Sequence, residues 1–191
     1  EFALGFTQLW RGRLDEAAPR LEAALALAES GGERWRVVVC CTYLALLHRL
    51  RGDKAEVRRW TARALAEGEE IPACTGMARA NEGWLAWRSG DAPGARRQAE
   101  AALRVWAGIS PVYPFQWAAR WPLLAAALAE DAVDQAVEHA RAMLDPEQQP
   151  LPGEVARALA LAVDLWESGD LPRTRSHLQA ASEAAVPLGF T

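Results

Sequence analysis

Residues 50–53 (LRGD) contain the pattern that decides the fold: the apolar end of one helix, a glycine, and an acid that starts the next helix. Similar stretches occur at 10–13 (WRGR), 88–91 (RSGD) and 167–170 (ESGD), and a degenerate copy at 130–131 has Asp131 in place of the glycine. The five anchor positions 12, 52, 90, 131 and 169 are separated by 40, 38, 41 and 38 residues. Such a regular period predicts a chain built from five repeats.

Each anchor predicts a tight turn between two antiparallel helices. Glycine tolerates the positive φ that ends many helices, and Asp53, Asp91 and Asp170 stand where an N-cap is wanted. Small residues recur seven positions before the anchor and five and twelve after it, which lets two helix axes approach closely. The pattern predicts first helices near 2–11, 35–51, 73–89, 115–129 and 153–168, and second helices near 14–29, 54–68, 92–107, 132–144 and 171–186.

Helix breakers mark the connections between the predicted pairs. They lie at 30–32, 71–72, 110–111 and 145–152. Pro122 falls inside a predicted helix, so it should kink that helix or move its start to about Trp121.

The composition agrees with a helical globular chain. Alanine, the best helix former, accounts for 40 of the 191 residues, and β-branched residues are scarce, which argues against an all-β fold. The net charge of −4 argues mildly against a dedicated nucleic-acid binder. No run of 18 apolar residues is free of charge, so no membrane span is predicted.

The repeats resemble the tetratricopeptide repeat. The small residue of the first helix is present as Gly5, Ala45, Gly83 and Ala162, and the turn glycine as Gly12, Gly52, Gly90 and Gly169. The chain departs from the family in its period, which is about 39 residues rather than about 34. It also lacks the family's early aromatic residue. The resemblance implies an all-α fold: a right-handed α-solenoid of about five antiparallel helical hairpins.

The longer period is similar to that of the helical repeat regions of large bacterial transcriptional regulators. These include maltose-activator-type ATPases, LuxR-type activators and antibiotic-regulator proteins. The chain begins at Glu1 and ends at Gly189-Phe190-Thr191, so we expect 1–191 to be a single repeat domain from a longer protein. The resemblance implies a non-catalytic, cytoplasmic sensor domain that binds a partner protein or peptide, or other domains of its own chain.

No motif for catalysis, metal binding or cofactor binding stands out. There is no glycine-rich phosphate loop and no His-Glu-x-x-His, and His48, His139 and His177 fall in three different repeats. The cysteines Cys40, Cys41 and Cys74 are interpreted as small buried hydrophobic residues of a reducing compartment. We therefore expect no enzyme activity, no metal and no cofactor.

Nine tryptophans suggest where a partner would bind. In the family that the repeats resemble, the first helices line a concave groove, and positions two, three and six before the turn glycine face it. Aromatic and arginine side chains at such positions can hold apolar, planar or acidic groups. Trp121, ten positions before its anchor, is taken as a further groove position. The predicted groove residues are Phe6, Trp10, Arg49, Trp84, Trp87, Arg88, Trp121 and Trp166.

Three alternatives stay open at this point. The tryptophans can instead fill the space between alanine-rich helices, and Trp60 and Trp106 on second helices are better explained by packing or by the convex face. A small-molecule effector could stack on Trp84 and Trp87. The basic stretch 49–63 could contact DNA phosphates, although a solvated helix face explains it more simply.

Overall fold

The computed structural model describes residues 1–67, 71–109 and 112–191, and within them the chain forms ten helices and no strand. The first helices of the five pairs are α1 (Phe2–Trp10), α3 (Arg34–Leu50), α5 (Pro72–Trp87), α7 (Trp117–Ala129) and α9 (Gly153–Glu167). The second helices are α2 (Leu14–Ser30), α4 (Lys54–Ala66), α6 (Ala92–Trp106), α8 (Val133–Met143) and α10 (Leu171–Ala185). The all-α prediction is confirmed, and each predicted helix is present within a few residues.

The five anchors are equivalent turns, as the period predicts. Gly12, Gly52, Gly90 and Gly169 have φ between 73° and 84°, and Asp131 has φ 62°. At each anchor the next backbone N–H donates to a carbonyl five residues earlier, for example from Asp53 to His48 at 2.9 Å, so every first helix ends in a Schellman motif. Asp131 is the one non-glycine residue with positive φ in the described part of the chain.

The predicted caps begin the second helices. The Asp53 carboxylate accepts hydrogen bonds from the backbone N–H groups of Ala55 and Glu56, both at 3.1 Å. Asp91 accepts one from Gly94 at 2.9 Å, and Asp170 accepts one from Arg173 at 3.2 Å. These bonds satisfy donors that a helix start leaves free.

Small residues hold the two helices of a pair close together. A Cβ atom on Gly83 of α5 would lie 3.2 Å from the carbonyl oxygen of Ala95 on α6. A Cβ atom on Gly5 of α1 would lie 2.9 Å from Cγ of Leu21 on α2. Ala17, Ala95 and Ala136 are fully buried at the equivalent positions of the second helices, as the spacing predicts.

The start of α7 differs from one sequence expectation. Of the two effects expected from Pro122, the shifted start near Trp121 is wrong, because α7 begins at Trp117, close to the predicted 115, and keeps Pro122 inside it. Hydrogen bonds from the first turn hold that start, including one from the Trp117 indole to the side chain of Gln149 at 2.9 Å. The predicted helix end at 68 and the breaker at 110–111 lie outside the described residues.

The first four pairs stack in chain order, and the fifth joins differently. Helix α3 contacts α1 and α2, α5 contacts α3 and α4, and α7 contacts α5 and α6. In the last pair it is the second helix, α10, that contacts α7, while α9 lies against α8 and α10. This arrangement brings the residues that follow α10 back towards α3, α5 and α7.

Candidate functional site

The centre of the candidate site is Arg49, near the end of α3. Its side chain is fully buried, and its three hydrogen bonds all go to backbone carbonyl oxygens. Nη2 donates to Phe190 at 2.8 Å, while Nε donates to Gly189 and Nη1 to Ala80, both at 3.4 Å. Burial lowers the pKa of Arg49 to about 9, so the guanidinium keeps its charge at neutral pH. A buried charge of this kind needs hydrogen-bond partners, and the backbone supplies them.

Residues 186–191, which follow α10, supply two of those carbonyl oxygens; we call them the docked segment. Gly189, Phe190 and Thr191 are buried, whereas Val186 and Pro187 are exposed. Arg88, at the end of α5, donates to the carbonyl oxygen of Thr191 at 3.3 Å. Side chains of α3 and α5 therefore hold the backbone of the docked segment.

An aromatic pocket receives the Phe190 side chain. Its ring centroid lies 4.5 Å from that of Trp117 and 6.3 Å from that of Trp121, and it is stacked on the latter. The guanidinium of Arg49 lies over both the Trp84 and the Trp117 rings, and that of Arg88 lies over Trp84 as well. We call the five residues around the docked segment the docking site: Arg49, Trp84, Arg88, Trp117 and Trp121.

The docking site gathers four of the eight predicted groove residues: Arg49, Trp84, Arg88 and Trp121. The expectation that Trp84 and Trp121 present open aromatic surface is wrong, because both are fully buried. The docked segment covers this face together with packing between α5 and α7. Whether any of these residues binds a ligand stays a prediction.

The other predicted groove residues lie elsewhere. Phe6 and Trp10 of α1 form a separate aromatic cluster with Phe115, at ring distances of 6.0 Å and 5.2 Å. Trp87 is half-buried. Trp166 lines a shallow depression with Leu171 and Arg175 at the fifth pair, so it does not continue the site. The reason is the altered joining of that pair, in which α10 replaces α9 as the partner of α7.

Several residues of the site escaped the sequence interpretation. Trp117, Gly189 and Phe190 lie outside the anchor register, so the repeat gives no reason to select them. One signal was available, since the stretch VPLGF after the last helix is too apolar for a solvated chain end.

A cavity of about 410 Å³ lies beside the docked segment. Trp10, Leu50, Trp117 and Phe190 line it, along with residues 149–152 of the loop between α8 and α9. That loop is fixed in place, because the Gln149 side chain donates to the carbonyl oxygen of Trp10 at 3.3 Å and accepts from Trp117. The docking site thus adjoins space that the chain leaves unfilled.

Polar groups around the docked segment are incompletely paired. The indole N–H groups of Trp84 and Trp121 and the hydroxyl of Thr191 are buried without a hydrogen-bond partner among the described protein atoms. Both polar atoms of the Asn81 side chain on α5 are in the same state. An unpaired buried polar group costs roughly 1–3 kcal/mol, so an added hydrogen bond to any of these groups would be stabilising.

Most cations of the basic stretch 49–63 are buried or paired with acids. Arg49 is buried, and Arg51 pairs with Asp15 at 2.6 Å. Arg59 pairs with Glu56 at 3.0 Å, and Arg63 pairs with Glu29. Lys54 and Arg58 are exposed and have no ion pair among the described residues, so the positive charge of this solvated helix face is only partly neutralised.

The remaining candidate residues give no reactive group. Cys40, Cys41 and Cys74 are free and buried, and burial raises the pKa of Cys40 to about 11 and that of Cys41 to about 12. These thiols stay neutral at physiological pH.

In the described part of the chain, no three His, Cys, Asp or Glu side chains cluster in a way that could hold a metal ion. No described helix is long and apolar enough to cross a membrane. Trp60 and Trp106 are buried, as the packing interpretation predicts.

Comparisons with known proteins bring no relative: no family model, no curated protein and no solved structure matches this chain. The resemblance to the tetratricopeptide repeat therefore stays a prediction from the residues. The function has to be argued from the docking site.

Proposed function

We propose that this chain is a non-catalytic protein-binding domain that holds a short peptide segment of a partner at the docking site. One observation carries the proposal: the buried Arg49 guanidinium donates to the backbone carbonyl oxygens of Gly189 and Phe190. Every peptide has such carbonyl groups, so a segment of another protein can make the same contacts. The docked segment is in this sense a bound peptide that belongs to the chain itself.

Two further features support exchange of the docked segment for a partner. The indole N–H groups of Trp84 and Trp121 have no partner among the described protein atoms, and a peptide with acceptors within their reach would satisfy both. The adjoining cavity of about 410 Å³ gives room for additional side chains of a longer peptide. Val186 and Pro187 of the docked segment are exposed, and Pro187 borders the cavity without filling it.

The cellular setting rests on the resemblance alone. Repeats of this kind occur in bacterial transcriptional regulators, so we propose that the partner is another domain of such a regulator or a protein that controls it. The three free thiols agree with a cytoplasmic setting.

A small-molecule effector is the second candidate. The cavity beside the docked segment is lined mainly by apolar side chains, including Trp10 and Trp117, and its size is within the ordinary range for small ligands. A flat aromatic compound that binds there would quench tryptophan fluorescence in the unaltered chain, with the docked segment still in place.

Selection from a library of random peptides displayed on phage tests the proposal. The bait is the full chain with Phe190→Ala, which weakens the docked segment. We expect enriched peptides with a Kd below about 100 µM, and at least fivefold weaker binding when Arg88→Gln is added. Arg104→Gln, on the exposed face of α6, is the matched control and should change nothing.

Two outcomes would contradict a peptide-binding function. One is a selection that enriches no peptide above an uncoated surface. The other is a set of binders whose affinity is unaffected by Arg88→Gln, because such peptides would bind elsewhere.

A further inference from the structure

We infer that the docking site selects partner segments in which a glycine is followed by an aromatic residue. The inference rests on the proposed function and names the chemistry of its partner. The docked segment is the chain's own copy of this ligand and competes with the partner for the site.

The requirement for glycine comes from the backbone of α3. Gly189 has φ 72°, which side chains other than glycine rarely adopt. A Cβ atom there would overlap the carbonyl oxygen of Arg49 and lie 2.6 Å from the Cα atom of Leu50. Both are backbone atoms of a helix end and cannot move aside as a flexible side chain can.

Gly12 shows that the close approach is a separate requirement. Its φ of 73° is the same, yet a Cβ atom at Gly12 would meet nothing within 4 Å. Gly12 therefore serves only the turn, whereas Gly189 serves both the conformation and the contact with α3. Substitutions at Gly12 and Gly189 therefore separate the effect of positive φ from the effect of crowding against α3.

The requirement for an aromatic residue comes from Trp117 and Trp121. These rings enclose Phe190 so that only 8% of its surface remains exposed. A planar side chain keeps both ring contacts, and an aliphatic or polar one loses them. The bonds from Arg49 and Arg88 reach only carbonyl oxygens, so they hold any sequence and do not add to the selection.

The chain contains two other Gly-aromatic pairs, and neither can replace the docked segment. Gly5-Phe6 lies within α1, and Gly83-Trp84 lies within α5. Both pairs have helical backbone conformations, and their carbonyl groups lie within the hydrogen-bonded helices. Among the described residues, Gly189-Phe190 is the pair that is free to dock.

Attachment to α10 gives the docked segment an advantage over a separate peptide. A tethered ligand experiences an effective concentration of roughly millimolar order, so a free peptide of equal fit binds the intact chain weakly. A change that weakens the docked segment alone should therefore open the site.

Calorimetric titration with three capped hexapeptides tests the selection. The parent peptide VPLGFT copies residues 186–191, and its variants are VPLAFT and VPLGAT. The proteins are the full chain unaltered, with Gly189→Ala, and with Gly12→Ala as the control that has positive φ without crowding. Gly189→Ala should bind VPLGFT at least tenfold more tightly than either other protein, and both variant peptides should bind it at least tenfold more weakly than the parent.

The outcomes separate this inference from the proposed function. If Gly189→Ala binds VPLAFT as tightly as VPLGFT, the selection is overturned while peptide binding stands. If it binds none of the three peptides although phage selection yields binders that need Arg88, the selection is again overturned. If neither titration nor phage selection yields a binder, both proposals fail.

A second variant guards against a folding defect. If Gly189→Ala lacks a cooperative urea transition, the same titrations are made with Phe190→Ala, which adds no crowding. If both variants lose cooperative unfolding, the docked segment is an integral part of the core, and the inference is overturned.

Discussion

The Arg49 guanidinium donates to the backbone carbonyl oxygen of Phe190 at 2.8 Å, across a separation of 141 residues. This contact joins the second helical pair to the segment that follows the last one. Most other contacts between the five hairpins join neighbours in the stack, whereas this one links the second pair to the docked segment through a buried cation. The docking site becomes accessible only when this contact breaks, so a more stable contact makes the site less accessible.

Replacing Arg49 by lysine tests the guanidinium directly. A lysine ammonium can reach one carbonyl group but cannot serve Gly189, Phe190 and Ala80 together, so Arg49→Lys should lower the free energy of unfolding by about 1–3 kcal/mol. Urea denaturation measures the change. The matched change Arg104→Lys, on an exposed helix face, should stay within about 0.5 kcal/mol. Equal effects for the two variants would contradict the assigned role.

The fourth turn should be improved by restoring its glycine. Asp131 has φ 62°, a conformation that costs a non-glycine residue about 1 kcal/mol. Its surface ion pair with Arg175 offsets only part of this cost. Asp131→Gly should therefore leave stability unchanged or raise it by up to about 1 kcal/mol in a urea titration. Asp134→Gly, inside α8, should lower it by about 1 kcal/mol, and a loss of similar size at both positions would refute the turn assignment.

Gly76 is a helix position that has no room for a side chain. A Cβ atom there would lie 2.5 Å from Cε2 of Trp106, whose indole donates to the carbonyl oxygen of Ala73 at 3.2 Å. Gly76→Ala should lower the melting temperature, with a loss of about 1–3 kcal/mol, despite alanine's better helix propensity. Gly108→Ala, where the nearest atom is 3.9 Å away, should be close to neutral. A stabilised Gly76→Ala would show that Trp106 is not packed on α5.

The stability should fall on mild acidification because of His139. Burial, and then the charges of Arg120 and Arg96, lower its pKa to about 4. The unfolded chain binds a proton near pH 6.5 and the folded chain does so only near pH 4, so this contribution is complete above pH 6.5 and is lost between those values. We expect unaltered protein to lose about 2 kcal/mol more than His139→Gln between pH 7 and pH 4.5. Parallel losses in the two proteins would remove His139 as the cause.

The repeat architecture was readable because its physics is local. A glycine at a helix end and a capping acid next to it act within one turn of the chain. Gly52 and Asp53 therefore suffice to predict the turn between α3 and α4 from the sequence. Even the degenerate Asp131 could be placed, since the period indicates where the turn must fall. The resemblance could not foresee that α10 rather than α9 contacts α7, because that choice depends on packing between distant helices.

Only part of the docking site could be predicted from the sequence, because the rest depends on contacts between distant residues. Arg49 lies three positions before its anchor and Arg88 two positions before its own, and the resemblance places both positions in the groove. Phe190 has no such phase, and nothing near it in the sequence indicates that Trp117 receives it. The burial of Trp84 was equally hidden, since it depends on tertiary packing that includes the Arg49 guanidinium from another helix.

The central claim is that the docked segment is an exchangeable peptide ligand, and the indole N–H signal of Trp117 tests it most directly. Two-dimensional ¹H–¹⁵N NMR spectra are recorded for the unaltered chain and for Gly189→Ala, without and with excess VPLGFT. We predict that the substitution moves the Trp117 signal while the signals of distant Trp60 and Trp166 stay in place, and that the added peptide returns it towards its original position. A Trp117 signal that ignores the peptide, or a substitution that collapses the dispersion of the whole spectrum, would contradict the account.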